Sequence, residues 1–223
     1  MLWDIDNTLL YTGGAGGVAM TRAFRDLYGV DDAFGHVEFS GRSDTAIFID
    51  AARAHGIADH PASEIARFID AYLPHMERAL REIRGTLLPG IEAALCALAD
   101  HGDVVQGLGT GNFRRTGEAK LVHYGIARFF PGTIGGFGDD HESRDELIRI
   151  GIERLRNGDA GDERVVIIGD TPHDVAAAKA NAAFALGVAT GRDSVERLRA
   201  CGADVVVEDL ADTDAAVRLI LGA

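Results

Sequence analysis

The sequence predicts an α/β fold, a doubly wound parallel sheet carrying an inserted helical segment, and three features support this. Short runs rich in valine and isoleucine alternate with helical patterns along most of the chain. The run Arg164–Gly169 (RVVIIG) is apolar throughout, as a parallel strand buried on both faces must be. From about Ala15 to Ile83 the alternation stops, and only helical spacing is found.

The elements follow in chain order. Leu2-Trp3 opens a very short first strand, with only three residues before Asp4. The uninterrupted helical stretch then predicts helices over Gly17–Tyr28, Asp44–His55 and Ser63–Ile83. Asp44 is a plausible N-cap of the second. The third carries Ile65, Phe68, Ile69, Tyr72, Leu73, Met76 and Leu80 at helical spacing, and Pro74 is expected to kink or split it. A βα crossover is normally short, so residues 14–85 read as an insert in a core formed by residues 1–13 and 86–223. In that core, strands are expected at Asp103–Gly109, Thr133–Gly136, Arg164–Gly169, Phe184–Ala189 and Asp204–Val207. Helices are expected at Gly90–Ala99, Arg114–Tyr124, Arg144–Leu155, Asp174–Ala180, Val195–Cys201 and Asp214–Leu221. Pro89 suits a helix start, Ser143 a helix cap and Gly125 a helix end.

Composition narrows the function classes. The chain has 223 residues and is 47% hydrophobic, enough for a sizeable core. No apolar run approaches the ~18 residues of a membrane span, and no signal-peptide pattern opens the chain, so a cytoplasmic protein without a membrane partner is expected. A net charge of −13 argues against nucleic acid. It also repels anionic substrates, so a phosphate ester would need local positive charge from a metal, an arginine or helix N-termini. Cys96 and Cys201, both in apolar helix-like text, are expected as buried free thiols. Lysine occurs only at Lys120 and Lys179.

In open α/β sheets, ligands bind beyond the carboxyl ends of the strands. There the first strand ends in DIDNT, with Asp4, Asp6 and Thr8. A later strand ends in GLGTGN, with Thr110, Gly111 and Asn112, and the apolar strand ends in GDTPHD, with Asp170, Thr171, His173 and Asp174. One acidic strand end is an ordinary capped turn. Several on adjacent tips repel one another unless a cation binds them, and hard oxygen donors suit Mg²⁺. The acidic run Asp139–Glu142 reads as a solvated loop, and so does His173.

These motifs resemble the haloacid dehalogenase-like hydrolase superfamily, in its phosphoglycolate phosphatase-like branch with a helical cap after the first strand. The likeness rests on DxDxT at Asp4–Thr8, a strand ending in Thr110, a basic residue opening a later helix, and GDxxxD at Gly169–Asp174. SGRSD at Ser40–Asp44 resembles the cap loop that such phosphatases lay over their substrate, and EAKLVHYGIARFF at Glu118–Phe130 resembles their helix after the threonine motif. The resemblance implies Asp4 as nucleophile and Asp6 as acid and base. It implies Mg²⁺ on Asp4, the Asp6 carbonyl and Asp170, with Asp174 as a further or outer ligand. It places Thr110, with nearby backbone N–H groups, on the phosphoryl charge, and Thr8, Gly111, Asn112, Arg42 and Asp44 at the substrate.

Two departures concern single residues. Asn7 stands where the family usually has glycine, and asparagine tolerates the left-handed turn expected there. The family's basic motif is usually lysine, but neither lysine of this chain has the right order. Arg144 does, and a guanidinium can pair with Asp4 and phosphate in fork geometry. The implied function is a Mg²⁺-dependent phosphatase for a small phosphorylated metabolite of the phosphoglycolate or sugar-phosphate type, acting as monomer or homodimer. A phosphomutase of the beta-phosphoglucomutase type, or a non-catalytic binding protein retaining the fold, are the alternatives.

Overall fold

The computed structural model describes residues 1–57, 62–157 and 163–222. Eight strands lie among them: β1 Leu2–Trp3, β2 Leu10–Tyr11, β3 Thr86–Leu87, β4 Gly107–Gly109, β5 Gly135–Gly136, β6 Val166–Gly169, β7 Phe184–Val188 and β8 Val205–Val207. The helices are α1 Ala15–Tyr28, α2 Asp44–Ala54, α3 Ala62–Glu82, α4 Ile91–Ala99, α5 Arg114–His123, α6 Arg144–Leu155, α7 Pro172–Ala180, α8 Val195–Ala200 and α9 Thr213–Leu221.

Six of the strands form one parallel sheet in the order β5-β4-β1-β6-β7-β8. Side chains on a strand alternate between faces, and even the two residues of β1 obey this. Trp3 joins the apolar layer under α4, α5 and α9, with Ile91, Leu95, Leu121 and Ile220. Leu2 joins the opposite layer under α6, α7 and α8, with Ile148, Val175 and Leu198. The sheet is thus covered on both faces, as the expected doubly wound fold requires.

β1 can be this short because it is held from both sides. Leu2 pairs with Gly107 and Ile167, and Trp3 with Leu108 and Ile168. The Asp4 N–H still donates to Ile168 O at 2.9 Å, so the ladder places Asp4 directly at the tip. Asn7 adopts φ 58°, the left-handed turn that its position was expected to need.

α1, α2 and α3 surround an apolar cluster of their own, with Phe24, Phe34, Phe48, Phe68 and Tyr72 at its centre. One member comes from the sheet side: Phe113, fully buried, meets the rings of Phe68 and Tyr72, each at 6.3 Å. α3 runs unbroken through Pro74, which neither ends nor splits it. The chain segments entering and leaving these helices pair as the antiparallel ribbon β2–β3, which the sequence pattern did not suggest.

Several local expectations need correction. Ser43, not Asp44, caps α2. Its backbone is extended and its hydroxyl accepts from Ala46 N, so Asp44 is the first helical residue. Ser143 stands at the N-cap of α6, but its side chain makes no capping hydrogen bond. The strand expected from Asp103 begins only at Gly107. Cys96 is exposed and Cys201 half-buried, because both sit on the outward sides of their segments. No described helix is long and apolar enough to cross a membrane.

Candidate active site

The three central strands β4, β1 and β6 bring their motifs together at one edge of the sheet. Asp4 follows β1, Thr110 follows β4 and Asp170 follows β6. Asp174 enters from the first turn of α7. There a capping box joins it to Thr171, whose N–H and hydroxyl both donate to Asp174 Oδ2, at 3.0 and 2.7 Å. Asp4, Asp170 and Asp174 are all buried, and they offer one oxygen each within 4.8 Å of one another.

Arg144, the first residue of α6, supplies the positive charge expected of it. Its Nη2 lies 2.8 Å from Asp4 Oδ1, contacts Asp174 Oδ1, and donates to Gly109 O at 3.3 Å. Among the described residues, its buried Nε has no hydrogen-bond partner. Burial alone would favour the neutral guanidine, but Asp174 and Asp4 reverse this and raise the Arg144 pKa above its usual value.

One guanidinium does not balance three carboxylates. Burial, then Asp174 and Asp6, push the Asp4 pKa up to about 6 against the pull of Arg144. Burial, then Asp174 and Asp4, push Asp170 up to about 9. The donor set therefore fits a hard divalent cation: all oxygen, buried, and short of positive charge.

An acid with a raised folded pKa stabilises the fold at low pH and loses that contribution as pH rises through the folded value. Without metal, the melting temperature should therefore fall between about pH 4 and pH 9 as Asp4 and Asp170 ionise. Mg²⁺ should flatten that fall. Thermal melts in chelator across this range test the point, and a melting temperature rising with pH would contradict it.

Asp6 stands apart from the carboxylate group. Its Oδ2 accepts from Asn112 Nδ2 at 2.8 Å and from Lys120 Nζ at 2.6 Å. Asn112 Nδ2 also donates to the Thr110 hydroxyl oxygen at 2.9 Å. Lys120, excluded on sequence order, is thus part of the site. Its signal lay in α5, where Thr116, Gly117, Lys120 and Leu121 share the buried face while Val122 is exposed. A lysine on the inner face of a helix needs a partner there.

The loop before α2 lies against the same edge. Asp44 N donates to Gly111 O at 2.7 Å, and Phe113 N donates to Asp44 Oδ2 at 2.9 Å. Ser43 Oγ donates to Glu142 O at 2.8 Å and Thr45 Oγ1 to Gly138 O at 2.6 Å. Gly111 permits the approach, since a Cβ there would lie 2.3 Å from Arg42 O. Gly41, at φ +69°, packs over Thr171 and His173 where a side chain would collide. Burial pushes the Asp44 pKa up to about 7, although Lys120 and the Phe113 N–H pull it down.

The Thr8 hydroxyl donates to Asp170 Oδ1 at 3.3 Å and so braces that carboxylate. Arg42 pairs with Asp50 of α2 at 2.7 Å. His173 is exposed. In the acidic run, Asp139 accepts from Arg114 N and Asp140 pairs with Arg154, so both serve the loop.

Comparison with solved structures agrees with this architecture. A predicted phosphatase from Clostridium acetobutylicum is similar over 100% of this chain and 97% of its own, at 23% identity and TM-score 0.69. CbbY from Rhodobacter sphaeroides, solved in complex with phosphate, is similar over 95% of this chain and 94% of its own, at 22% identity and TM-score 0.71. A hydrolase from Pseudomonas syringae covers 98% and 97%, at 19% identity and TM-score 0.70. At these identities the likeness speaks to the fold. No curated protein sequence matches the chain significantly. The model of the haloacid dehalogenase-like hydrolases matches residues 1–188, and with the three motif tips gathered at one sheet edge, the chain belongs to that family.

Proposed function

We propose that this hydrolase is a Mg²⁺-dependent phosphomonoesterase acting on a small phosphorylated metabolite through an aspartyl-phosphate. The observation that carries the reading is Asp4 at the tip of β1, held by Arg144 among two further buried carboxylates.

An Asp4 carboxylate oxygen attacks phosphorus, and the phosphorus–ester oxygen bond breaks in line. The departing alkoxide takes a proton from Asp6. Water then attacks the phosphorus of the aspartyl-phosphate and gives its proton to Asp6. The bond to Asp4 breaks, and inorganic phosphate leaves. Mg²⁺ held by Asp4, Asp170 and the Asp6 carbonyl, with Asp174 behind them, would supply positive charge against the phosphoryl oxygens. Thr8 keeps Asp170 oriented. Thr110 accepts from Asn112 N and Nδ2, so its own proton is directed elsewhere and suits a phosphoryl oxygen. Residues 14–85 act as a cap, with Arg42 and Asp44 beside the organic part of the substrate.

A screen of phosphorylated metabolites read by phosphate release tests this function. Isomerised sugar phosphate without phosphate release would replace it by a mutase. For a confirmed substrate, Asp6→Asn should lower kcat/KM on alkyl phosphates by about 10²–10⁴-fold. It should cost far less on p-nitrophenyl phosphate, whose phenolate leaves without a proton. Equal losses on both esters would remove Asp6 from the acid role.

A further inference from the structure

The contacts around Asp6 are not symmetric. Asn112 and Lys120 both donate to the same oxygen, Oδ2. Among the described residues, no hydrogen bond falls on Oδ1. Lys120 is 3% exposed, which is costly for an ammonium unless its partners are fixed. Those partners are Asp6 Oδ2 and Asn112 Oδ1.

An ammonium has donors only. The Asn112 atom facing it must therefore be the carbonyl oxygen, and this turns Nδ2 toward Asp6 and Thr110. Lys120 thus sets the amide orientation, and both donors hold one oxygen of Asp6. An oxygen receiving two donors has no geometry for a proton of its own.

We propose that Lys120 is the positioning residue of Asp6. With Asn112 it pins Oδ2, so that Oδ1 is the oxygen that passes a proton to the leaving group and later receives one from water. This rests on the acid–base role of Asp6 given above. Lys120 donates to Asp6 and to Asn112, which itself donates to Asp6, so its effect on the proton transfer passes through Asp6.

The test uses the full-length Mg²⁺-loaded protein with Lys120→Met, and Lys120→Gln as a second neutral replacement in case methionine folds poorly. Specificity constants are compared on an alkyl phosphate and on p-nitrophenyl phosphate. kcat/KM reports only up to leaving-group departure, so the water step does not enter. The expected result is a loss of about 10²-fold on the alkyl ester, with only a few-fold loss on the aryl ester. In an Asp6→Asn background, removing Lys120 should cost nothing further on the alkyl ester. Equal losses on the two esters, or a further loss in that background, would show a merely structural lysine and overturn the proposal. A crystal structure of Lys120→Met supplies an arm independent of activity. Asp6 should leave its single orientation, and an unmoved carboxylate overturns the positioning role. A wild-type protein inactive on both esters would instead overturn the phosphatase reading, while the crystallographic arm still decides the role of Lys120.

Discussion

Asp4→Asn should fold normally and lose kcat on any phosphate ester by about 10⁴-fold or more. A carboxamide is a poor nucleophile, and no described neighbour can take its place. Asp170 and Asp174 lie within the same 4.8 Å group, but Thr8 donates to Asp170 Oδ1, and Arg144 and Thr171 donate to the two oxygens of Asp174. The fold should not suffer, because the substitution removes one negative charge from a buried group already short of positive charge. Phosphate release and thermal melting, measured on the same preparation, separate the two effects. Activity within tenfold of wild type would show that another group attacks phosphorus.

Withdrawal of divalent cations should produce the second largest loss. Three buried carboxylates share one guanidinium, and an incoming phosphate dianion adds to that excess. Charge stabilisation by a metal is worth several kcal/mol, so a chelator should lower turnover by about 10³-fold or more, and Mg²⁺ should restore it. Apparent metal affinity should rise with pH as Asp4 and Asp170 give up protons. Titration calorimetry at several pH values reads this without substrate. Undiminished hydrolysis in chelator would mean that Arg144 alone neutralises the phosphoryl group.

Much of this architecture was legible in the sequence, for physical reasons. β6 and β7 are buried on both faces and carry continuous apolar text. The helices over Ala62–Glu82 and Arg144–Leu155 follow from spacing alone. The tips DIDNT, GLGTGN and GDTPHD were visible because carboxylates and hydroxyls directly after apolar runs are costly without a purpose. β4 and β5 were harder, since GLG and GG carry almost no side-chain pattern and are strands only because their neighbours pair with them. Lys120 was missed because its partner lies 114 residues away, and order along the chain says nothing about such a contact. Asp44 was mistaken for a cap because its acceptor serves Phe113 N in a distant segment, while the neighbouring Ser43 serves its own helix.

Phe113 follows Asn112 directly and fills the aromatic cluster of the inserted helices. The sheet unit and the helices α1–α3 therefore share one aromatic cluster. An excised core, residues 1–13 spliced to 86–223, would present a bare phenyl ring to solvent one residue beyond the Thr110–Asn112 motif. It would forfeit about 1.5–3 kcal/mol of burial at that position. The Phe113 N–H would also lose its acceptor on Asp44. A minimal catalytic unit built by deletion would need a polar residue at 113. Exchange of inserts between relatives would likewise have to carry this aromatic contact along.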